Sequence, residues 1–340
     1  MKRICTFFVV CLFALTACGK ATTDIPEETT YSPVTESVGT EKNEPETKET
    51  AIVEPVYSTI EALTEVEDIL SVKIVDHSFP GIDIATLPEA AAEQYRVLAE
   101  DYTTWEIRYT VNSVEAIAYA AAPNTYADTT SSFILYARGG NGSYGAATPQ
   151  GAVSNAYLLR SVVICPDYSE ADEFGGSDVE NVTFWMDVIP SLGFVNPDEV
   201  WLLGESRGGM EGCLTLLQDD EHIIKAAVLA SGIYDLHALW ESRTDMREML
   251  TRRIGGTPSD FPEAYSERSA VTFADKIDTP LLLVHSTGDK NVPYTQAEDF
   301  AKTLAEHGKT YKLITRENDV HGLTAAEMPT ILTWLRENGK

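Results

Sequence analysis

Gly204-Glu205-Ser206-Arg207-Gly208, followed by Gly209, is the stretch of this chain best suited to chemistry. It comes after an apolar run, Val200-Trp201-Leu202-Leu203, and before a helix-compatible run over residues 210–218. A serine on a sharp turn between strand and helix has an exposed Oγ, and the helix N-terminus beside it favours developing negative charge. The flanking glycines let the neighbouring backbone pass close by. The same letters also describe a Gly-rich turn with a solvated serine, because so short a motif recurs by accident.

A serine hydroxyl is a poor nucleophile unless a base takes its proton, and a histidine base must be held in one tautomer by a carboxylate. The order Ser, Asp, His is met downstream. Asp289 lies in His285-Ser286-Thr287-Gly288-Asp289-Lys290-Asn291-Val292-Pro293, and His321 in Asn318-Asp319-Val320-His321-Gly322. Two other assignments compete. His285 could be the base, although it sits on a strand end four residues before Asp289. Asp319 could orient His321, although a residue so near in sequence rarely reaches the correct ring nitrogen. His77, His222, His237 and His307 belong to no motif and read as ordinary surface or core histidines. Glu205 either pairs with an arginine, shapes specificity or is merely solvated.

Acyl transfer also needs two donors aimed at the developing oxyanion. The Arg207 N–H is one candidate. Gly139 or Gly140, after the apolar run ending at Ala137, supplies the other, though a Gly-Gly pair also suits a plain tight turn.

The elements that must carry these residues alternate along the chain. A helix is expected over 88–100, then two strands over 105–111 and 116–122 around an Asn112-Ser113 hairpin turn. Further strands are expected over 132–137, 161–165, 200–203, 226–231, 280–285 and 311–315, with helices over 149–160, 178–192 and 324–337. Buried apolar strands separated by helices imply an α/β fold, with a mostly parallel central sheet and helices on both faces. Each chemical motif falls at the carboxyl end of a strand, where such sheets place their sites. The 234–277 segment is the one connection long enough to cap the site. It carries Arg243, Arg247, Arg252, Arg253 and Arg268.

Together these residues resemble the α/β-hydrolase fold and, within it, the catalytic domain of the prolyl oligopeptidase family of serine peptidases. That family carries G-x-S-x-G-G, a later H-G-x-x-D-x-x-V-P and a final histidine before the last helix. The chain matches all three, with Ser286 in place of a glycine, and Asp172-Glu173-Phe174-Gly175-Gly176-Ser177-Asp178-Val179 resembles the helix entry of such domains. The resemblance runs from about residue 102 to the C-terminus. It implies Ser206 as nucleophile, His321 as general base and acid, and Asp289 as its orienter. Two departures limit it. Many members have Tyr or His before the Gly-Gly pair and Pro after it, where this chain has Arg138 and Asn141. The family's N-terminal β-propeller is also not expected, because roughly forty structured residues are too few for four-stranded blades.

The N-terminus carries its own signals. Lys2 and Arg3 precede an uncharged apolar run over residues 4–17, too short to span a bilayer comfortably. It ends Leu15-Thr16-Ala17-Cys18-Gly19, which resembles the lipobox of bacterial lipoproteins and implies acylation of Cys18 and cleavage before it. Residues 21–58 are rich in Thr, Glu and Pro and read as a disordered, extended tether. The expected plan is therefore a signal peptide over 1–17, a tether over 18–65, an N-terminal extension over 66–101 and a catalytic domain over 102–340.

Loss of Lys2 and Arg3 would leave 23 basic against 53 acidic side chains, a formal charge of −30. Such a surface excludes nucleic acid and an anionic membrane face as natural partners. No His/Cys cluster has metal-ligand spacing, so neither metal nor cofactor is expected. Cys165 and Cys213, both in apolar segments, read as small buried thiols, with a disulfide as the alternative. Two functions of different classes fit: an extracytoplasmic, membrane-anchored serine hydrolase acting on esters or short peptides, and a surface binding protein that keeps the fold without the activity. The intact Ser206, Asp289 and His321 set favours the first. The full-length protein expressed in bacteria should partition with membranes, and Cys18→Ser should block lipid attachment; an unmodified mature N-terminus at any other residue, read by mass spectrometry, would rule the anchor out.

Overall fold

The computed structural model describes residues 57–168 and 172–339. The expected signal, Cys18 and the tether as far as residue 56 lie outside the described residues. The chain enters through strand β1 (Ile69–Ile74) and helix α1 (Glu89–Asp101), then forms a hairpin of β2 (Tyr102–Val111) and β3 (Val114–Pro123). Asn112 and Ser113 have φ of 51° and 66°. Two successive left-handed residues make the tight turn whose twist matches that of the flanking strands.

The rest alternates strand and helix: β4 (Ser131–Ala137), α2 (Pro149–Leu159), β5 (Val162–Asp167), α3 (Glu180–Val188), β6 (Val195–Glu205), α4 (Arg207–Leu216) and β7 (Ala226–Ala230). Three short helices follow, α5 (Leu236–Ser242), α6 (Arg247–Ile254) and α7 (Pro262–Glu267), before β8 (Leu281–Ser286), α8 (Thr295–Glu306), β9 (Tyr311–Arg316) and α9 (Met328–Asn338). The strands form one nine-stranded sheet in the order β1-β2-β3-β5-β4-β6-β7-β8-β9. From β5 to β9 every pairing is parallel, and β1, β2 and β3 add an antiparallel margin.

Alternate side chains of each strand go to opposite faces. Val200 and Leu202 of β6 and Leu281 and Leu283 of β8 pack with Met210, Cys213 and Phe300 of α4 and α8. Trp201, Leu203, Leu282 and Val284 pack on the other face with Ala156 of α2 and Leu335 of α9. Because helices cover both faces, β4, β7 and β8 are buried at nearly every position, unlike a strand with one face in water. Each fully buried Leu or Val here contributes roughly 1.5–3 kcal/mol.

Several details differ from the sequence expectation. The residues before 102 do not merely lead in. β1 pairs with β2 as the sheet's edge, with a register shift between Ile69 and Ser71. The helix expected over 178–192 is a three-turn arrangement: α3 is flanked by 3-10 turns at Ser177–Val179 and Ile189–Ser191, with Pro190 in the second. The helix after Ser206 begins at Arg207, ahead of the expected residue 210, and α8 is an amphipathic helix not foreseen. Within 234–277 the chain forms α5, α6 and α7.

Cys165 and Cys213 are both free and buried. They lie in the packed layers on opposite faces of the sheet, which is why they cannot pair. Burial also pushes both thiols above the ordinary cysteine range. Alkylation mapped by mass spectrometry should therefore leave both residues unmodified in the native protein and modify both in denaturant without reductant. A Cys165–Cys213 peptide pair in the digest would refute this packing.

Candidate active site

β6 and α4 meet at Ser206, which takes φ 58° and ψ −120°. A non-glycine residue held there stores about 1–3 kcal/mol of strain. The turn is fixed on several sides. Ser206 N donates to Ala230 O at 2.9 Å, and Ser206 O accepts from Gly209 N at 3.0 Å and Ile233 N at 3.2 Å. A side chain on Gly204 would overlap the carbonyl of Gly208, and one on Gly208 the carbonyl of Ala137. The two glycines of the motif are thus required by close backbone passage.

Asp289 and His321 meet across two loops, with Asp289 Oδ2 2.8 Å from His321 Nδ1. Asp289 is buried, whereas the His321 side chain keeps 22% of its surface exposed. The other carboxylate oxygen accepts from Asn291 N at 2.9 Å and Val292 N at 3.1 Å. Burial acts to raise the Asp289 pKa, but His321 and these two amides outweigh it and hold the carboxyl below its ordinary range. An ionised acceptor at Nδ1 leaves Nε2 of His321 as the ring atom able to take a proton.

The two competing assignments find other partners. Asp319 is exposed and pairs with Lys290 at 3.1 Å, away from the imidazole. His285 is fully buried; its Nε2 lies 3.0 Å from Val292 O, and burial lowers its pKa. A neutral, buried ring bonded to the acid loop supports that loop and cannot approach a substrate. Among the others, His77 bonds Leu98 O and His237 lies 3.2 Å from Ser266 Oγ.

Residues left without a definite role by the sequence hold the histidine loop. Ser286 Oγ donates to Val320 O at 2.6 Å, so the serine that replaces a motif glycine has a definite partner. Arg316 donates to Gly322 O and Val320 O and pairs with Glu327 at 3.0 Å. Ser231 Oγ accepts from Gly322 N at 3.1 Å. Among the described residues Glu205 pairs with no arginine. It accepts from Tyr136 Oη at 2.8 Å and from Leu323 N at 2.7 Å, tying the residue before Ser206 to the residues after His321. No hydrogen bond joins Ser206 Oγ to His321 among the described residues, although these ties place them in one site. Such bonds commonly shorten only when substrate binds.

The glycine loop after β4 runs beside Ser206. A Cβ on Gly139 would stand 3.1 Å from Ser206 Cβ, and Gly140 has φ 79°. Arg138, before the Gly-Gly pair, points inward. It is buried, pairs with Asp167 at 2.6 Å, lies 4.3 Å over the Tyr168 ring and donates to the carbonyls of Gly139 and Gly142. It therefore supports the loop from within. Beneath the turn, Arg207 is surrounded by Asp172 at 2.8 Å, Glu211 at 2.7 Å and Asp178.

The arginines of the 234–277 segment are largely committed to neighbours. Arg247 bonds Trp240 O, and Arg268 bonds Ala264 O. Arg253 reaches Asp172, and Arg243 reaches Asp245 and the carbonyl of Asn291. The segment buttresses the loops on which the site is built. Among the described residues no group of His, Cys, Asp or Glu could hold a metal ion.

A strained serine between a parallel strand and a helix, with an Asp–His pair on later loops of the same sheet, defines an α/β-hydrolase site. Comparison with known proteins agrees. The model of the prolyl oligopeptidase family matches residues 169–338, half of the chain, and the protein belongs to that family. It is 35% identical over 166 residues to the uncharacterized peptidase YtmA of Bacillus subtilis, covering 46% of this chain and 63% of that one. It is 23% identical over 174 residues to the acylamino-acid-releasing enzyme of Homo sapiens, covering 48% of this chain and 24% of that one. Among solved structures, a puromycin-hydrolyzing peptidase of Mycobacterium tuberculosis superposes with a TM-score of 0.58 at 25% identity, over 67% of this chain and 38% of that one. The uncomplexed acylaminoacyl peptidase of Pyrococcus horikoshii gives 0.59 at 18% identity, over 71% of this chain and 42% of that one. The chain thus spans less than two thirds of the length of each of these proteins.

Glu211 gives the site a pH signature. Burial, reinforced by the neighbouring Asp178, pushes its carboxyl to about 8 from 4.5, although Arg207 opposes the shift. The folded state then holds a proton that the unfolded chain releases. The stability Glu211 contributes is full below 4.5 and is lost as pH rises through about 8. Thermal melts should show the parent losing more stability between pH 5 and pH 9 than Glu211→Gln, which cannot ionise; parallel curves for the two proteins would contradict this.

Proposed function

We propose that this protein is a serine hydrolase that cleaves short peptides and carboxylic esters through an acyl-enzyme. The observation that carries the reading is the Asp289–His321 bond, set on loops tied to the strained turn of Ser206. In this reading Ser206 Oγ attacks the substrate carbonyl as His321 Nε2 takes its proton. Asp289 fixes the ring and stabilises the imidazolium. The N–H of Arg207 and that of Gly139 or Gly140 receive the oxyanion. His321 then gives the proton to the leaving group, and water repeats the sequence on the acyl-enzyme.

Membership of a peptidase family, and relatives named as peptidases and as acylamino-acid-releasing enzymes, support peptide substrates. Ester cleavage rests on the chemistry. An activated ester requires less leaving-group protonation than an amide and passes through the same acyl-enzyme. We further place the enzyme outside the cytoplasm, held to a bacterial membrane through Cys18. The support is the uncharged run over residues 4–17 followed by Leu15-Thr16-Ala17-Cys18-Gly19. Two or more acyl chains suffice for stable attachment.

A fluorophosphonate should label Ser206, and Ser206→Ala should abolish both labelling and turnover while remaining folded. Asp289→Asn should lower kcat by about ten-thousandfold by favouring the wrong tautomer, while Asp319→Asn stays at the parental rate. Labelling that survives in folded Ser206→Ala would falsify the nucleophile, and the reverse order of the two Asp variants would move the orienting role to Asp319. On matched substrates kcat/KM should be higher for short-chain acyl esters than for aminoacyl or prolyl amides. A clear preference for the proline-containing amide would restrict the enzyme to peptides.

A further inference from the structure

The two candidate oxyanion donors come from different elements: one from the first turn of α4, the other from the glycine loop after β4. A single buried cluster joins them. The guanidinium of Arg207 is 1% exposed, and its three ion-pair partners Asp172, Asp178 and Glu211 are fully buried at the side chain. Asp172 Oδ1 takes Arg207 Nη1 at 2.8 Å and Phe174 N at 3.1 Å, while its Oδ2 accepts from Gly142 N in the glycine loop. Arg207 Nη1 also reaches Gly140 O, at 3.5 Å. From outside, Arg253 of α6 donates to Asp172 O at 3.0 Å and covers Gly142. Tyr168 and Phe174 lie against the guanidinium face, each centroid 4.8 Å away.

We propose that the Arg207 side chain, acting through Asp172, is a positioning residue that sets the glycine loop against the nucleophile turn, so that both oxyanion donors take their places from one ion-pair cluster. The proposal rests on Ser206 being the nucleophile. The physical reason is rigidity. A buried guanidinium presents a planar fork with fixed donor directions, and each carboxylate that meets it is fixed in turn. Leaving any of these charges unpaired in the interior is strongly unfavourable, so the cluster has one low-energy arrangement. Asp172 is bonded to Arg207 and Gly142 through different oxygens, so a shift of α4 is passed directly to the loop. An ammonium could not reproduce this, because it is a point donor on a flexible stem.

The test uses the purified full-length protein and two variants. Asp172→Asn is isosteric, but its single oxygen can serve Arg207 or Gly142 and not both. Arg207→Lys keeps the charge and loses the fork. For each, kcat and KM are measured with p-nitrophenyl acetate, and affinity with phenylboronic acid, whose tetrahedral adduct on Ser206 places an oxygen where the oxyanion develops. Deleting an oxyanion donor costs about a hundred- to a thousandfold in kcat, so a displaced donor should cost about ten- to a hundredfold. Asp172→Asn should lower kcat in that range and weaken the boronate by a similar factor, with KM changed by less than about threefold. Arg207→Lys should do the same. A merely structural cluster would lower the melting temperature without this split. The inference is overturned if folded variants keep parental kcat and boronate affinity, if KM rises at constant kcat, or if both variants fail to fold. Failure of a fluorophosphonate to label the parent at Ser206 would defeat the nucleophile reading itself, a result separate from any of these.

Discussion

A full positive charge with no access to water lies directly under the strained turn of Ser206. Arg207 begins α4, and the turn cannot move without moving it. An isolated buried charge is far too costly to keep, and removing one partner of a buried pair costs about 3–5 kcal/mol. The fold meets this by bringing Asp172 and Asp178 from the loop after β5, and Glu211 from one turn further along α4. Three carboxylates around one guanidinium would repel one another, and the structure relieves this by raising Glu211 towards neutrality. Much of the irregular backbone between β5 and α3 follows from the same demand. Phe174 and Gly175 take positive φ, and Gly175 N and Gly176 N turn inward to bond Asp178.

The histidine side of the site is built on another principle. His321 lies on a loop with little regular structure of its own, and hydrogen bonds hold it: Ser286 to Val320, Ser231 to Gly322 and Leu323 to Glu205. Each comes from the carboxyl end of a different strand, β8, β7 and β6. In the proposed reaction the ring receives and returns a proton, which needs fixed orientation together with an accessible nitrogen. A partly exposed imidazole backed by the buried Asp289 provides both. The arginines of the 234–277 segment reach both sides, Arg253 at the glycine loop and Arg243 at the acid loop. That segment was open to a role as a substrate cap, and its contacts show it bracing the scaffold.

Local chemistry along the chain made a good deal legible. The strand–turn–helix around Ser206 was readable because glycines are needed wherever backbone passes that close. The apolar strands were readable because a sheet covered on both faces tolerates few polar side chains. β1 was missed although Leu70 to Ile74 alternates, because this short edge strand leaves Leu70 and Ile74 exposed and buries little apolar surface of its own, and Asn112-Ser113 was found because a two-residue turn between alternating strands is complete in itself.

Residue types and their order by themselves determined the strand series, the hairpin, the glycine turns, and the short set of serine, carboxylate and histidine candidates. Those properties depend on neighbours a few positions away, and periodicity records them. Only the tertiary structure decided which candidate meets which. Asp289 and Asp319 were both possible partners of His321 until the loops placed one beneath the ring and the other on Lys290 in solvent. Glu205 was an unassigned acid until Leu323, 118 residues away in the chain, came to it. Arg138 and Arg207 read as a departure from a motif and as a candidate backbone donor, and folding made both buried anchors. Such outcomes depend on where unrelated strand ends converge, and no window of sequence contains both members of the pair.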